Sequence, residues 1–140
     1  MRTIRILFAI FIAGIFTFTF NSCEPDNPDD GDPANAREKF IGTWTCVEAS
    51  QLTYTVVVEA DPANETNVFL NNFHSLGSAE KAIGVIAGSS VSIDQQQMCN
   101  GDYTVKGNGL MEANQKSIAF SYTVKTGIDT DTITATYTKQ

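Results

Sequence analysis

The chain has 140 residues, 42% of them hydrophobic and 18% charged, which suits one packed domain with a leader and leaves little room for a second domain. Nine Lys and Arg against 16 Asp and Glu give a net charge of −7, which disfavours binding to nucleic-acid phosphates. One His and three Cys are too few for most metal clusters. The composition therefore predicts no metal and no cofactor.

Residues 1–22 have the pattern of a secretory signal peptide. Arg2 and Arg5 provide the positive start, and residues 6–20 form an apolar run. A permanent membrane-spanning helix needs about 20 apolar residues, so this run is short for an anchor. The alternative is a short, uncleaved transmembrane helix.

The segment after this run ends in Asn21-Ser22-Cys23 and continues into acidic residues. An apolar run that ends in a small residue and then Cys resembles the signal of bacterial lipoproteins, in particular those of the Bacteroidota type. The resemblance implies that the Cys23 sulfur carries a diacylglycerol, that the leader is cut just before it, and that the protein is held at the cell envelope. It implies an outer-membrane lipoprotein on the periplasmic or the surface-exposed face.

Residues 23–36 are predicted to form the lipidated Cys and a tether. The tether has no base and three prolines, Pro25, Pro28 and Pro33, which disfavour helix and sheet. Its acids repel one another and keep it extended. These acids are Glu24, Asp26, Asp29, Asp30 and Asp32.

Residues 37–140 are predicted to form one all-β domain. Apolar residues alternate with polar ones in eight short segments, which is typical of half-buried strands. The clearest is residues 118–124, followed by residues 132–138. Leu52 is placed on the inward face of the second strand, and Gly107 and Gly109 are predicted to bend or bulge the sixth. The only predicted helix is a turn over residues 34–39.

Eight short strands with short connections favour an antiparallel meander closed into a barrel, because closure removes exposed strand edges. The alternative is a β-sandwich. The segment Phe40-Ile41-Gly42-Thr43-Trp44 resembles the Gly-x-Trp opening of lipocalin-like (calycin) domains. That resemblance implies a small lipocalin-like barrel whose Trp44 plugs one end.

Two sets of residues are candidates for a site. Cys46 and Cys99 are either joined by a disulfide across one end of the barrel or remain separate thiols. A set of six aromatic residues either lines a ligand pocket or forms a filled core, and the filled core is favoured. These residues are Phe40, Trp44, Tyr54, Phe120, Tyr122 and Tyr137.

No catalytic constellation can be named from the sequence. His74, the only histidine, is predicted to be a solvated loop residue, and Asp129 and Asp131 to lie in a solvated hairpin turn rather than bind a cation. We therefore expect a non-enzymatic, membrane-anchored envelope lipoprotein. It would either bind a small hydrophobic or glycan ligand, or act as a structural or protein-interaction module of an envelope complex, such as an inhibitor-like barrel.

Overall fold

The structure is a computed structural model, and it describes residues 33–140. The predicted leader, Cys23 and most of the predicted tether lie outside these residues. Among residues 33–140, no helix has the length and apolar character needed to cross a membrane.

The chain folds into a closed, eight-stranded antiparallel β-barrel in which every strand pairs with its neighbours in sequence, so the predicted fold class is confirmed. The first strand pairs with the last, and this pairing closes the barrel. The strands are β1 (Gly42–Glu48), β2 (Thr53–Ala60), β3 (Asn67–Asn71), β4 (Lys81–Ala87), β5 (Ser90–Met98), β6 (Tyr103–Met111), β7 (Ser117–Thr126) and β8 (Asp129–Lys139).

Helix α1 (Pro33–Glu38) precedes the barrel, close to the predicted turn over residues 34–39. Pro33, predicted to be part of the extended tether, is instead the first residue of this helix, a position where proline is tolerated because its missing N–H would have had no partner. Arg37 Nη1 donates to the carbonyl oxygens of Asp61 and Asn64, which ties the helix to the β2–β3 connection. We call this end of the barrel the helix end.

The opposite end carries the β1–β2, β3–β4, β5–β6 and β7–β8 connections. A 3₁₀ turn, Phe73–Ser75, lies in the β3–β4 connection, and the Phe73 side chain is fully buried. We call this the plug end.

The inward face of each strand follows the two-residue alternation of apolar residues. Trp44 and Cys46 on β1, Val56 and Val58 on β2, and Ile118 to Val124 on β7 alternate with more exposed neighbours. The placement of Leu52 on an inward face is wrong: it precedes β2 and is 45% exposed, because the chain is still turning there.

The predicted bulge in the sixth strand is also wrong. The register shift lies in β5, between Ile93 and Gln96, whereas β6 pairs with β7 without interruption. The β6 glycines instead allow β7 to approach closely: a Cβ on Gly109 would lie 2.7 Å from the Phe120 ring atom Cζ, and one on Gly107 would collide with the Cα and Cβ atoms of Tyr122. Glycine is needed there for close approach of the two strands.

Candidate functional site

The interior of the barrel is filled. Trp44, Tyr137 and Phe73 have no accessible surface, and Phe40, Tyr122 and Phe120 have 1%, 2% and 3%. An internal void large enough for water would leave accessible surface on the side chains around it. The six predicted aromatics therefore form a packed interior, with only Tyr54 partly buried.

The helix end is closed by apolar side chains. The Trp44 indole Nε1 donates to the Phe40 carbonyl oxygen at 2.8 Å, so its one polar atom is satisfied while the ring is buried. The Lys139 ammonium lies 5.3 Å from the centre of the Trp44 ring and donates to the Lys39 carbonyl oxygen. The predicted plugging role of Trp44 agrees with this geometry.

The plug end is closed by Phe73. Its ring lies 4.7 Å from the Tyr122 ring and 6.4 Å from the Phe120 ring, measured between centres. The segment that carries it is strained, because Asn72, His74 and Ser75 all have left-handed backbone conformations with φ of 62°, 53° and 57°. Such conformations cost about 1–2 kcal/mol per residue for side chains other than Gly, and less for Asn. The packing of Phe73 and the hydrogen bonds beside it hold the turn in place.

Those hydrogen bonds converge on Glu48, the only buried charged side chain among the described residues. Its Oε1 accepts from the Tyr122 hydroxyl at 2.8 Å and from the Tyr54 hydroxyl at 2.9 Å. His74 Nδ1 lies 3.1 Å from the same oxygen and 3.0 Å from the Tyr122 hydroxyl. We call Glu48, Tyr54, His74 and Tyr122 the Glu48 cluster.

The Glu48 carboxylate is stabilised in its charged form. Burial would raise the pKa of Glu48, but hydrogen bonds from Tyr122 and Tyr54 and the neighbouring His74 outweigh burial and bring the pKa below its ordinary value. Burial raises the pKa of both tyrosine hydroxyls far above their usual range, so both remain proton donors. The cluster is thus an anionic acceptor surrounded by fixed donors.

The Glu48 cluster holds the Phe73–Ser75 turn in place. Its groups do not follow the order of hydroxyl, histidine and carboxylate that defines a hydrolytic triad. The Ser50 hydroxyl donates to Glu48 Oε2 at 3.2 Å, and His74 bonds to Oε1 of the same carboxylate. A triad needs the histidine between the hydroxyl and the carboxylate. Within residues 33–140, no group of three or more His, Cys, Asp or Glu is placed to hold a metal ion.

His74 was expected to be solvated, and that expectation is wrong: its side chain is only 19% exposed and is bonded to Glu48. One feature of the local sequence indicates burial of this turn. Phe73 is apolar and lies within a run of turn residues, and such a side chain is stabilised by a buried environment. The inward position of Glu48 could also have been read from the alternation of β1, where it follows Trp44 and Cys46 at two-residue spacing. Asp129 and Asp131 are exposed, as predicted, but their placement in the hairpin turn is wrong, because both belong to β8 and pair with β7.

Cys46 and Cys99 are not joined in the structure, so the disulfide alternative is not realised. Cys46 is buried on β1, paired across the sheet with Tyr54 and Tyr137, whereas Cys99 lies in a 3₁₀ turn between β5 and β6, several strands away around the barrel. Burial raises the pKa of the Cys46 thiol to about 11, so it is protonated at neutral pH. Burial also raises the pKa of the neighbouring Tyr137 hydroxyl well above its ordinary value.

The outer surface of the barrel divides into two halves. Fourteen neighbouring outward-facing positions on β7, β8, β1 and β2 all carry uncharged side chains. On β3 to β6, charged and large apolar side chains are mixed, including Lys81, Ile83, Val85, Asp94 and Lys106. We call the first half the threonine face. Its members are Thr43, Thr45, Val47, Thr53, Thr55, Val57, Ser117, Ala119, Ser121, Thr123, Thr132, Thr134, Thr136 and Thr138.

Among solved structures, the chain is similar to a redesigned β-barrel, with 15% sequence identity and a TM-score of 0.50 over 75% of this chain and 95% of that one. At this identity the similarity supports the barrel fold alone. No protein-family model matches the chain. No curated protein sequence matches it either.

Proposed function

We propose that the protein is a non-enzymatic lipoprotein of the cell envelope whose barrel acts as a protein-interaction module. The observation that carries this proposal is the filled interior. Eight-stranded barrels that transport small ligands need a cavity and an open end. Here Trp44 occupies one end and Phe73 the other, and neither ring has accessible surface.

The Glu48 cluster supports the same reading, because all of its groups are occupied in holding the plug. The carboxylate accepts from Tyr54 and Tyr122 and is bonded to His74, while Ser50 bonds to its second oxygen. A ligand entering at this end would have to displace Phe73 and break these bonds. The outer surface is therefore the part of the barrel available to partners.

The location at the envelope rests on the leader and Cys23. An acyl-modified cysteine followed by an acidic, proline-rich tether would hold the barrel away from the lipid without any apolar surface on the barrel itself. In this arrangement the barrel is presented to other proteins of the envelope.

Lipid labelling tests the anchor. The full chain is expressed in a bacterial host supplied with labelled palmitate, together with Cys23→Ala and, as a matched control, Cys99→Ala, which removes a thiol of the barrel. We expect label on the wild type and on Cys99→Ala and none on Cys23→Ala. An unlabelled wild type, or label that persists in Cys23→Ala, would contradict the proposed anchor.

Ligand titration tests the filled barrel. The wild-type chain should show no saturable binding of a fatty acid or of benzene, followed by chemical-shift changes. Phe73→Ala should leave a hollow lined by Tyr122 and Phe120 that binds benzene, because dry apolar cavities of about 150 Å³ take up such rings. Saturable binding of a fatty acid to the wild type would favour a ligand carrier over an interaction module.

A further inference from the structure

The threonine face has an unusual composition for the outside of a barrel. Nine of its fourteen residues are Thr, and the others are Ser, Val or Ala. Residues 37–140 contain eleven acids and seven bases, a net charge of −4, and all of these charges lie outside this face. Beyond the threonine face, β2 continues to Glu59 and β7 continues to Lys125, and these two charged residues mark the edge of the face.

The register places these side chains in rows across four adjacent strands. Thr136 of β8 is paired with Val47 of β1 and with Ala119 of β7, and Val47 is paired with Thr53 of β2. The neighbouring row runs from Thr55 through Thr45 and Thr138 to Ser117. The pair of Val47 and Thr136 therefore lies at the middle of the face.

A groove of about 470 Å³ opens at this middle row. Ala49, Ala119, Thr134 and Thr136 line it beside Val47. Its lining also includes Glu48, Phe120 and Ala135, whose side chains are buried in the barrel. The Val47 side chain is 44% exposed at the edge of the groove. The face thus carries both an apolar projection and a hollow next to it.

We propose that this face is the contact surface for a second copy of the chain, in a symmetric dimer with Val47 of each copy seated in the groove of the other. This names a partner for the proposed interaction module and in that respect rests on the proposed function; it does not depend on the lipid anchor. A two-fold axis between β1 and β8 brings the same surface of both copies together.

Charge favours a second copy in this place. Two barrels of net charge −4 repel each other, and the repulsion is smallest where no charged side chain enters the contact. On the barrel that the structure describes, the threonine face is the broad outward surface that carries no charged side chain. Thr methyl groups, Val47 and Ala119 supply apolar contact, and the Thr hydroxyls can bond across the contact or to water.

The area of the face predicts a weak dimer. Fourteen residues at the spacing of a β-sheet cover roughly 450 Å² in projection, little more than half of the about 800 Å² of accessible surface that each partner gives to a standard interface. We expect a dissociation constant on the order of 10–100 µM for the chain in solution.

Sedimentation equilibrium of the full chain in density-matched detergent tests the dimer. Val47→Glu puts two like charges beside the axis and should weaken association at least about tenfold. Val85→Glu is the matched control, because Val85 is also an outward valine, 38% exposed, on β4 in the other half of the surface. It should leave association unchanged, and equal melting temperatures of the two variants show that both remain folded.

Mixing variants tests the symmetry. Because Val47 of each copy lies near the axis, Val47→Glu and Val47→Lys should each be monomeric alone and associate when mixed. A mixture of Val85→Glu and Val85→Lys should behave like the wild type. A wild type that is monomeric up to about 1 mM, or a dimer equally affected by Val47→Glu and Val85→Glu, would overturn the inference. The proposed function fails separately, through the lipid labelling or the ligand titration.

Discussion

The two ends of this barrel are closed by different chemistry. At the helix end, Trp44 is buried among apolar side chains and makes one neutral hydrogen bond to the Phe40 carbonyl. At the plug end, Phe73 is held over the interior by a turn fastened to a buried carboxylate. The first closure depends mainly on packing, which is insensitive to pH, and the second depends partly on the buried Glu48 carboxylate. We therefore expect acid to weaken the plug end before the helix end.

Removing the packing of the helix end should have the largest effect. Trp44→Ala deletes the largest fully buried side chain and leaves a cavity, at a cost of about 3–5 kcal/mol of unfolding free energy. Urea denaturation at pH 7 measures this cost. Trp44→Phe, which keeps much of the ring volume, should cost clearly less. A Trp44→Ala variant within about 1 kcal/mol of the wild type would mean that the helix end is not closed by this ring.

Removing the charge at the plug end should have a smaller effect that depends on pH. Glu48→Gln replaces a carboxylate that accepts from two tyrosines, at a cost of about 1–3 kcal/mol at pH 7. Because the pKa of Glu48 is lowered in the folded state, its contribution is present above the ordinary value of 4.5 and is lost as pH falls through the folded-state pKa.

Unfolding free energies measured from pH 7 down to acid conditions check this sign. The stability difference between wild type and Glu48→Gln should shrink as pH falls below 4.5. The Trp44→Ala cost should stay constant over the same range, apart from effects common to both proteins. A Glu48→Gln cost that does not change with pH would show that the carboxylate is not charged in its buried position.

Most of the barrel follows from the alternation of apolar residues. Residues 118–124 and 132–138 predict two adjacent strands because successive side chains of a strand point to opposite faces, and both strands are present. Closure also follows, since short connections leave each strand beside its neighbour in sequence. The position of the bulge does not follow from the alternation, because it depends on where β4 and β5 separate. At that point the Gln96 side chain forms hydrogen bonds with the Ile83 backbone.

The Glu48 cluster was harder to predict because its members are far apart in sequence. His74 and Glu48 are separated by 26 residues, and Glu48 and Tyr122 by 74. The local pattern alone places a histidine between Phe73 and Ser75 in an exposed turn. Only the register of β1, β2 and β7 around the closed barrel shows that the turn folds over the carboxylate.

The smallest expected effect is that of removing the hydrogen bond between the turn and the Glu48 carboxylate. His74→Ala removes one bond to Glu48 while leaving Phe73 in place, so it should cost about 1 kcal/mol. A double-mutant cycle with Glu48→Gln should give a coupling energy of about 0.5–1.5 kcal/mol at pH 7, and a smaller one in acid, where the wild-type carboxyl is also uncharged. A matching cycle of His74→Ala with Trp44→Phe should give no coupling, because the two sites lie at opposite ends of the barrel. Coupling of His74 to Trp44 as strong as to Glu48 would mean that the two closures act as one unit and that the contrast between them does not hold.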